Sequence, residues 1–353
     1  MSKETISTFN LNCPMPISNY DKVLLAHGGG GTLSHQLITK MFYSQFENEF
    51  LNQQHDSAVL NFDNQKIAFT TDSYVVHPIF FPGGNIGDLA VNGTVNDLAV
   101  SGAKPMFISC SFIIEEGLDM NELWQIVQSM KIAADKAGVK IVTGDTKVVD
   151  RGKGDKIFIN TSGIGLIYDG ANINPRNCKP GDVIVINGKI AEHGVTIMSA
   201  REGLEFETTI KSDTAALNTL VENILSVSKN VHIMRDPTRG GIASTLNEIA
   251  SLANVGIQIE QNKIPISEEV RGACEILGLD PLYIANEGKI IVIASAEDGE
   301  KILAKMKEHP LGKESVIIGQ VRNDEPGIVV MKTLIGSSRI VDMISGEQLP
   351  RIC

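Results

Sequence analysis

The stretch that decides the fold runs from Asn92 to Pro105 and reads NGTVNDLAVSGAKP. It belongs to an apolar pattern that predicts a helix over Ile86–Ser101. Asn96 and Asp97 are polar residues inside this helix of small, apolar residues. Because a buried carboxylate without a partner is costly, Asp97 is expected to meet a cation or hydrogen-bond donors. Simple surface exposure is the alternative, and the apolar neighbours argue against it.

Two further aspartates follow predicted strands. Asp72 ends the strand in KIAFTTDS, and Asp145 stands beside Lys147 in Ile141–Val148, IVTGDTKV. Carboxylate oxygens are the ligands that Mg²⁺ prefers, so these aspartates and Asp97 could converge on ions that bridge phosphate oxygens. Lys147 could neutralise a phosphate or a developing negative charge. Three separate turn aspartates are the alternative.

The second half offers an anion site and a titratable group. In Arg235–Thr245, RDPTRGGIAST, Gly240–Gly241 opens a predicted helix, and Arg239 beside that helix start suits an anion. Glu287, in the turn NEGK, is a candidate general acid or base. A solvated turn charge is the alternative for Glu287.

Each end of the chain adds one candidate. His27 and four glycines, Gly28–Gly31, precede a predicted helix, so their backbone could approach a phosphate closely; a flexible connector is the alternative. Cys353 is the last residue, after LPRI. A terminal thiol can act as a strong nucleophile when ionised, and a chance terminal residue is the alternative.

Composition limits the classes of function. The chain has 353 residues and a net charge of −11, which argues against nucleic acid or an anionic membrane as the main partner. No apolar run is long enough to predict a membrane span. None of the five cysteines forms a CxxC pair, and this usage favours a reducing, cytoplasmic compartment.

The order of predicted elements indicates an α+β protein. A turn-rich linker, Asn172–Gly181, separates two halves, and the chain from Gly336 onward has the composition of a tail. We therefore predict an N-terminal domain over 1–171, a C-terminal α+β domain over 172–335, and a flexible tail over 336–353 that ends in the cysteine.

Taken together, these segments resemble the HypE family of hydrogenase maturation factors. This family belongs to the ATP-binding superfamily of aminoimidazole ribonucleotide synthetase and selenide, water dikinase. The resemblance extends over nearly the whole chain, and its most discriminating part is the terminal PRIC. The motifs that carry it are HGGGG, TTDSYVV, NGTVNDLAVSGAKP, TGDTKVV, RDPTRGG, NEGK and PRIC.

The resemblance implies a two-domain, aminoimidazole ribonucleotide synthetase-like fold whose N-terminal domains pair into a homodimer around a β-barrel. It implies ATP and Mg²⁺ as cofactors. It also implies two partners: a HypF-like carbamoyltransferase, which loads the terminal thiol, and a HypC–HypD-like complex, which receives the product. Neither nucleic acid nor a membrane is expected among the partners.

The implied reaction is the ATP-dependent dehydration of a carbamoylated C-terminal cysteine to a thiocyanate, which supplies the cyano ligand of the [NiFe] hydrogenase iron. Carried over by residue, Cys353 is the acceptor, and Lys147 and Glu287 are the other catalytic groups. Asp72, Asp97 and Asp145 are the metal ligands. The residues expected to bind the nucleotide are Asp72, Asn96, Asp97, Asp145, Asp236, Arg239, Gly29 and Gly30. The alternatives are a small-molecule, amide-activating synthetase of the same superfamily and a non-catalytic maturation scaffold.

Overall fold

The computed structural model describes residues 24, 27, 29, 31–43, 48–62, 65–202, 210–344 and 352, without the side chains of 41–43, 51 and 62. The helices are α1 Thr32–Gln36 (continued by a π-helix over Leu37–Tyr43), α2 Ile86–Val100, α3 Met120–Ala137, α4 Glu192–Arg201, α5 Asn218–Val227, α6 Gly241–Ala253, α7 Glu268–Leu277 and α8 Ala296–Glu308. Short 3₁₀ turns lie at Leu51–Gln53, Pro175–Asn177, Gln261–Lys263, Pro281–Tyr283 and Pro310–Gly312.

The strands fall into two large sheets and one small hairpin. They are β1 Ala58–Phe62, β2 Gln65–Tyr74, β3 Phe80–Phe81, β4 Gly84–Asn85, β5 Ala103–Glu115, β6 Lys140–Val149, β7 Ile157–Ile167, β8 Val183–Ile186, β9 Val231–Arg235, β10 Gly256–Glu260, β11 Ile291–Ala294, β12 Val316–Arg322, β13 Val329–Lys332 and β14 Ser338–Ile340. The first sheet has the order β1-β2-β7-β5-β6 and the second β14-β13-β10-β12-β8-β11-β9. Two separate large sheets, each with helices packed on it, confirm the two-domain architecture of helices and sheets that the α+β prediction implied.

Helix α2 is the central element of the first half. Its start is fixed by a capping box, in which the Asn85 side chain accepts from Gly87 N and the Asp88 side chain accepts from Asn85 N. Almost every residue of α2 is buried, since it packs on β2, β5 and β7 and also against α3 and α5. The helix therefore has no solvent face that would account for the polar Asn96 and Asp97.

The first sheet is open within one chain. Helices α2 and α3 cover one face, and the other face carries exposed apolar side chains that include Phe69, Phe107 and Ile164. Strand β6 pairs only with β5, in parallel, and all its residues except Val149 are exposed. The described chain thus contains no closed barrel, and the barrel of the expected homodimer is not seen in a single subunit.

The segment after Gly336 differs in part from the expected flexible tail. Strand β14 pairs antiparallel with β13, and Val341, which is 1% exposed, belongs to the core of the second domain. The start of this segment is therefore ordered by strand β14, and the residues that follow it, Val341 and Ile344, are buried. Residues 345–351 and 353 lie outside the described residues, and Ile352 is buried.

Several elements depart from the sequence-based expectation. Helices α4, α7 and α8 and strands β1, β3, β4, β9 and β14 were not predicted. The helix predicted after Gly31 is a short α-helix that passes into a π-helix. None of the helices in the described ranges has both the length and the apolar character needed to cross a membrane. The boundaries of the domains at 171 and 335 stay predictions.

Candidate functional site

An acidic cluster lies where the end of β2, helix α2 and the residue after β9 meet. Thr70 Oγ1 donates a hydrogen bond to Asp97 Oδ2 at 2.7 Å, and Tyr74 Oη donates to Asp72 Oδ2 at 3.0 Å. Asp236 follows β9 directly and is buried. Asp72, Asp97 and Asp236 all line one cavity of about 560 Å³. The structure therefore brings together three of the aspartates that the sequence singled out.

Burial and mutual repulsion of the carboxylates dominate the electrostatics of this cluster. Burial raises the pKa of Asp97 well above its usual range, and the charges of Asp72 and Asp236 raise it further. Burial likewise raises the pKa of Asp236 to about 7. A cation that entered the cavity would relieve this repulsion, because it favours the ionised form of each carboxyl.

The carboxylates suit a magnesium ion that is shared with a ligand. Among the residues the structure describes, no three His, Cys, Asp or Glu side chains form a metal site by themselves. Mg²⁺ characteristically takes one or two carboxylates and completes its shell with water and phosphate oxygens. Asp72 and Asp97 offer that partial set, so the donor chemistry fits Mg²⁺ bound together with a phosphate.

Positive charge borders the acidic cluster on one side. Arg235 Nε lies 2.7 Å from Asp56 Oδ2, and Arg235 Nη2 donates to Glu248 Oε2 at 3.0 Å, so this guanidinium serves two carboxylates of the wall. Arg239 is exposed and lines the same cavity, and its charge opposes the rise that burial causes in the pKa of Asp72. Arg239 thus adds a second positive charge to the wall of the cavity.

Backbone conformation and close packing explain why the two residues after Arg239 are glycines. Gly240 has φ 79° and caps α6, and Gly241 has φ 60°. A Cβ on Gly241 would lie 2.5 Å from Leu282 O and 2.7 Å from Ile284 O. Only glycine allows the start of α6 to approach the segment that leads to Glu287. The RDPTRGG motif therefore contributes side chains to the wall of the cavity, and its glycines allow the close packing at the start of α6.

Glu287 is the least satisfied acid in the region. It is 3% exposed, and its Oε1 has no hydrogen-bond partner among the described residues. Burial, followed by the charges of Asp236 and Asp213, raises its pKa well above the usual range. Its backbone is held firmly, since Asp213 Oδ1 accepts from Glu287 N at 3.1 Å. A buried, unpartnered carboxyl on a fixed backbone is suited to proton transfer.

Asn96 joins the two domains beside this cluster. Its Nδ2 donates to Ala215 O at 3.0 Å and to Glu287 O at 3.2 Å, and its Oδ1 accepts from Leu217 N at 2.8 Å. Both amide hydrogens are therefore used by backbone groups of the second half. The role that these bonds support is to fix the position of Glu287, and it differs from the nucleotide contact expected for Asn96.

The structure leaves Asp145 and Lys147 outside the cluster. Both side chains are about two-thirds exposed on β6, and Lys147 Nζ lies 2.5 Å from Asp145 Oδ2. The hydrogen bond from Lys147 lowers the pKa of Asp145. Within one subunit these residues form a surface ion pair, so only Asp72 and Asp97 of the three expected metal ligands come together.

The two ends of the chain are described in part. His27 lines the cavity, and its backbone oxygen accepts from Ser34 Oγ at 2.7 Å. Gly29 is described, whereas Gly28, Gly30 and the expected acceptor Cys353 lie outside the described residues. Ile352 is 3% exposed, and its carbonyl oxygen lies 2.6 Å from His193 Nε2. The residue before the terminal cysteine is thus buried between the two domains.

Sequence reasoning missed four residues of this region: Asp56, Thr70, His193 and Asp213. Thr70 stands inside the quoted TTDS motif, so its place in a strand that ends at an aspartate was a usable signal. Asp213 was included in the helix predicted over Asp213–Ser228, where an acidic first residue is ordinary, whereas α5 begins only at Asn218. Asp56 and His193 carry no local signal, because their partners, Arg235 and Ile352, are distant in sequence.

Comparison with known proteins agrees with this geometry. Residues 54–167 match the family model of the AIR synthase related protein, N-terminal domain, and residues 179–332 match the corresponding C-terminal domain. The chain is 50% identical to the carbamoyl dehydratase HypE of Cupriavidus necator over 333 residues, which are 94% of this chain and 95% of the relative.

Solved structures give the same result. A crystal structure of a HypE–HypF complex matches with 50% identity and a TM-score of 0.84, covering 87% of this chain and 99% of the other. A HypE structure in complex with ATP matches with 49% identity and a TM-score of 0.80, covering 94% and 100%. The chain therefore belongs to the AIR synthase related family and, within it, to the HypE carbamoyl dehydratases.

Proposed function

We propose that this protein dehydrates its own carbamoylated terminal cysteine in [NiFe] hydrogenase maturation. The S-carbamoyl group of Cys353 and ATP become S-cyanocysteine, ADP and phosphate. The carbamoyl oxygen leaves with the γ-phosphoryl group, and the nitrogen loses two protons as the C≡N bond forms. Phosphorylation is needed because the oxygen of a carboxamide is otherwise a poor leaving group.

The observation that carries this proposal is the position of Ile352. Its carbonyl is bound by His193 at the start of α4, and the next residue, Gly194, donates from its backbone N to Ala285 O. Ala285 lies two residues before Glu287. The chain thus brings its own C-terminal peptide to the segment that carries its best candidate for proton transfer, which suits an enzyme that acts on itself.

Different residues of the site would perform different parts of the reaction. Asp72 and Asp97 would hold Mg²⁺, which would neutralise phosphate charge when bound. Arg239, Asp236 and the glycine run at Gly29 and Gly30 would border the nucleotide. Glu287 would accept a proton from the carbamoyl nitrogen once positive charge in the cluster has lowered its pKa. Cys353 would carry the group throughout.

Asp145 and Lys147 would take part in the reaction in a homodimer. The open face of the first sheet and the exposed strand β6 leave large apolar side chains in water, among them Val142, which is 57% exposed, and Val148, which is 67% exposed. Pairing of two such sheets would cover them and close a barrel. In that assembly the Asp145–Lys147 pair would complete the partner's site, as a further magnesium ligand and as a cation for the carbamoyl oxygen.

The partners and compartment follow from the chemistry. A HypF-like carbamoyltransferase would load Cys353, and a HypC–HypD-like complex would receive the cyano group. ATP as a substrate and a terminal thiol that must stay reduced favour the cytoplasm. Solved structures of a HypE–HypF complex and of HypE with ATP, each about 50% identical to this chain, support the first partner and the nucleotide.

Intact-protein mass spectrometry tests the proposal. The full chain is incubated with a carbamoyltransferase of this type, and ATP with Mg²⁺ is then added. We expect a carbamoyl adduct that maps to Cys353 and loses the mass of one water only when ATP is present. An adduct that is stable to ATP would favour a scaffold, and turnover of a free amide without any adduct would favour a small-molecule synthetase.

A further inference from the structure

His193 is a completely buried residue that uses both ring nitrogens. It stands in the first turn of α4, and its Nε2 lies 2.6 Å from Ile352 O while its Nδ1 lies 2.8 Å from Ser212 Oγ. Phe81 packs against the ring edge-to-face, with ring centroids 5.6 Å apart and planes at 88°. The ring is therefore held by two hydrogen bonds and one aromatic contact.

These contacts select one tautomer of the ring. A carbonyl oxygen can only accept, so the proton must be on Nε2, and Nδ1 must accept from the Ser212 hydroxyl. Ser212 Oγ has an acceptor position left, which receives Thr214 N at 3.2 Å. Burial lowers the pKa of His193, which agrees with a neutral imidazole. The chain of donors thus runs in one direction, from Thr214 through Ser212 and His193 to Ile352.

The segment that contains Ser212 also fixes the backbone of Glu287, the residue proposed for proton transfer. Asp213, between Ser212 and Thr214, accepts from Glu287 N at 3.1 Å and from Gly288 N at 3.3 Å, and it lies 3.1 Å from Lys289 Nζ. Residues 212–214 therefore fix the backbone of Glu287 on one side and the tautomer of His193 on the other. A displacement of residues 212–214 would therefore move both Glu287 and the C-terminal peptide at Ile352.

We propose that His193 is a positioning residue for the reaction: its Nε2–H holds the Ile352 carbonyl, and thereby the C-terminal peptide, at the site. The carbonyl carbon of Ile352 is bonded directly to the nitrogen of the acceptor, Cys353, so this contact restricts the reacting group more than any contact farther back along the chain. The inference deepens the proposed function and rests on it.

A second contact holds the other end of the segment 345–351. Ile344 O accepts from Thr32 N at 2.9 Å and from Thr32 Oγ1 at 3.2 Å. A Cβ at Gly31 would lie 2.4 Å from the same oxygen, so the backbone at Gly31 packs closely against Ile344. The described residues on either side of 345–351 are thus each held by a hydrogen bond, Ile344 by Thr32 and Ile352 by His193.

The two half-reactions should respond differently to loss of this contact. Carbamoylation requires the thiol to reach a second protein, whereas dehydration requires it to be held beside Glu287. Loss of the Nε2–H bond should therefore slow dehydration without slowing carbamoylation. A misplacement of about 1 Å can cost on the order of a hundredfold in rate, and this effect should appear in kcat while KM for ATP is unchanged.

The experiment compares His193→Phe, which keeps an aromatic ring but loses both nitrogens, with His193→Gln, whose amide can restore one donor. Full-length protein is carbamoylated enzymatically and freed of ATP, and dehydration is started with Mg-ATP and followed by intact mass. His309→Gln is the matched control, because both ring nitrogens of His309 also lie within hydrogen-bond distance of partners, Leu311 N and Thr219 Oγ1, but at a distant 3₁₀ turn.

We expect His193→Phe to dehydrate about tenfold to a hundredfold more slowly, with unchanged KM for ATP and an unchanged or faster carbamoylation step. His193→Gln should recover part of the rate, and His309→Gln should match the wild type. Amide hydrogen exchange of the C-terminal peptide should be faster in His193→Phe than in either of the other proteins.

Wild-type dehydration by His193→Phe would overturn the proposal. So would a loss of rate that His193→Gln shares in full, or equal loss of carbamoylation and ATP affinity, since these would indicate a purely structural role. If His193→Phe does not fold, His193→Gln and Ser212→Ala carry the test through hydrogen exchange. If the wild type shows no dehydration, the proposed function fails, and unchanged exchange in the variants would separately reject the contact.

Discussion

The buried acidic cluster and strand β6 present the same residue types in opposite surroundings. Asp97 and Asp72 are surrounded by protein, and their pKa values are raised by burial. Asp145 is exposed, and Lys147 lowers its pKa. Within one subunit the acidic cluster is enclosed by protein, whereas Asp145 and Lys147 form an ion pair on an exposed strand. The following predictions test whether a second subunit brings these two regions together.

Replacing Glu287 by Gln should have the largest effect. The amide cannot accept the carbamoyl proton, so dehydration should fall by about a hundredfold or more. ATP binding should be retained, because Glu287 is not among the described residues that line the cavity proposed for the nucleotide. Single-turnover mass spectrometry measures the rate, and calorimetric titration measures ATP affinity. Glu300→Gln, at an exposed site on α8, is the control. A near-normal rate in Glu287→Gln would remove this residue from the reaction.

A charge on β6 should separate the subunits. Val142→Asp places a carboxylate on an edge strand that the dimer would bury, so the sedimentation mass should fall from that of a dimer to that of a monomer. Dehydration should fall about tenfold or more, because each site would lose its Lys147. Ile276→Asp on α7, where the side chain is 69% exposed, should change neither. A Val142→Asp protein that stays dimeric would place the interface elsewhere.

Mixed dimers test whether Lys147 acts in the site of its own chain or in that of the partner subunit. Lys147→Ala and Glu287→Gln should each be defective alone. A purified dimer with one chain of each kind should regain roughly half the wild-type rate, because one of its two sites then has both residues intact. Absence of any recovery in the mixed dimer would mean that Lys147 serves the site of its own chain.

The smallest expected effect concerns stability. A carboxyl whose folded pKa lies above its unfolded value binds more protons in the folded state, so stability falls as pH rises between the two values. Asp236, with a folded pKa of about 7 against about 4 when unfolded, should therefore destabilise the protein at neutral pH.

Asp236→Asn should accordingly raise the free energy of unfolding at pH 8 by about 1–3 kcal/mol and much less at pH 4. Denaturant titration at both pH values measures the difference. Asp145→Asn, which alters an exposed ion pair, should change stability little at either pH. An equal gain at pH 4 and pH 8 would mean that repulsion in the cluster is not the cause.

The sequence predicted those residues whose surroundings are local. Asp97 was found because a carboxylate in a helix of small apolar residues needs a partner, and Asp72 because it ends a strand. Helix α4 was missed because His193 and Thr196 are buried within it together with Gly194, so no polar face marks its period. The surroundings of Asp145 and Lys147 could not be predicted, because they depend on what covers β6.

The three hydrogen bonds of Asn96 have a consequence for dissecting the protein. They connect one side chain of the first half to the backbone at Ala215, Leu217 and Glu287 of the second. A fragment that ends at residue 171 would leave the Asn96 amide without these partners, in a helix that is otherwise buried and apolar. We therefore expect the halves matched by separate family models to stabilise each other, so that truncation of either one exposes polar groups of the other.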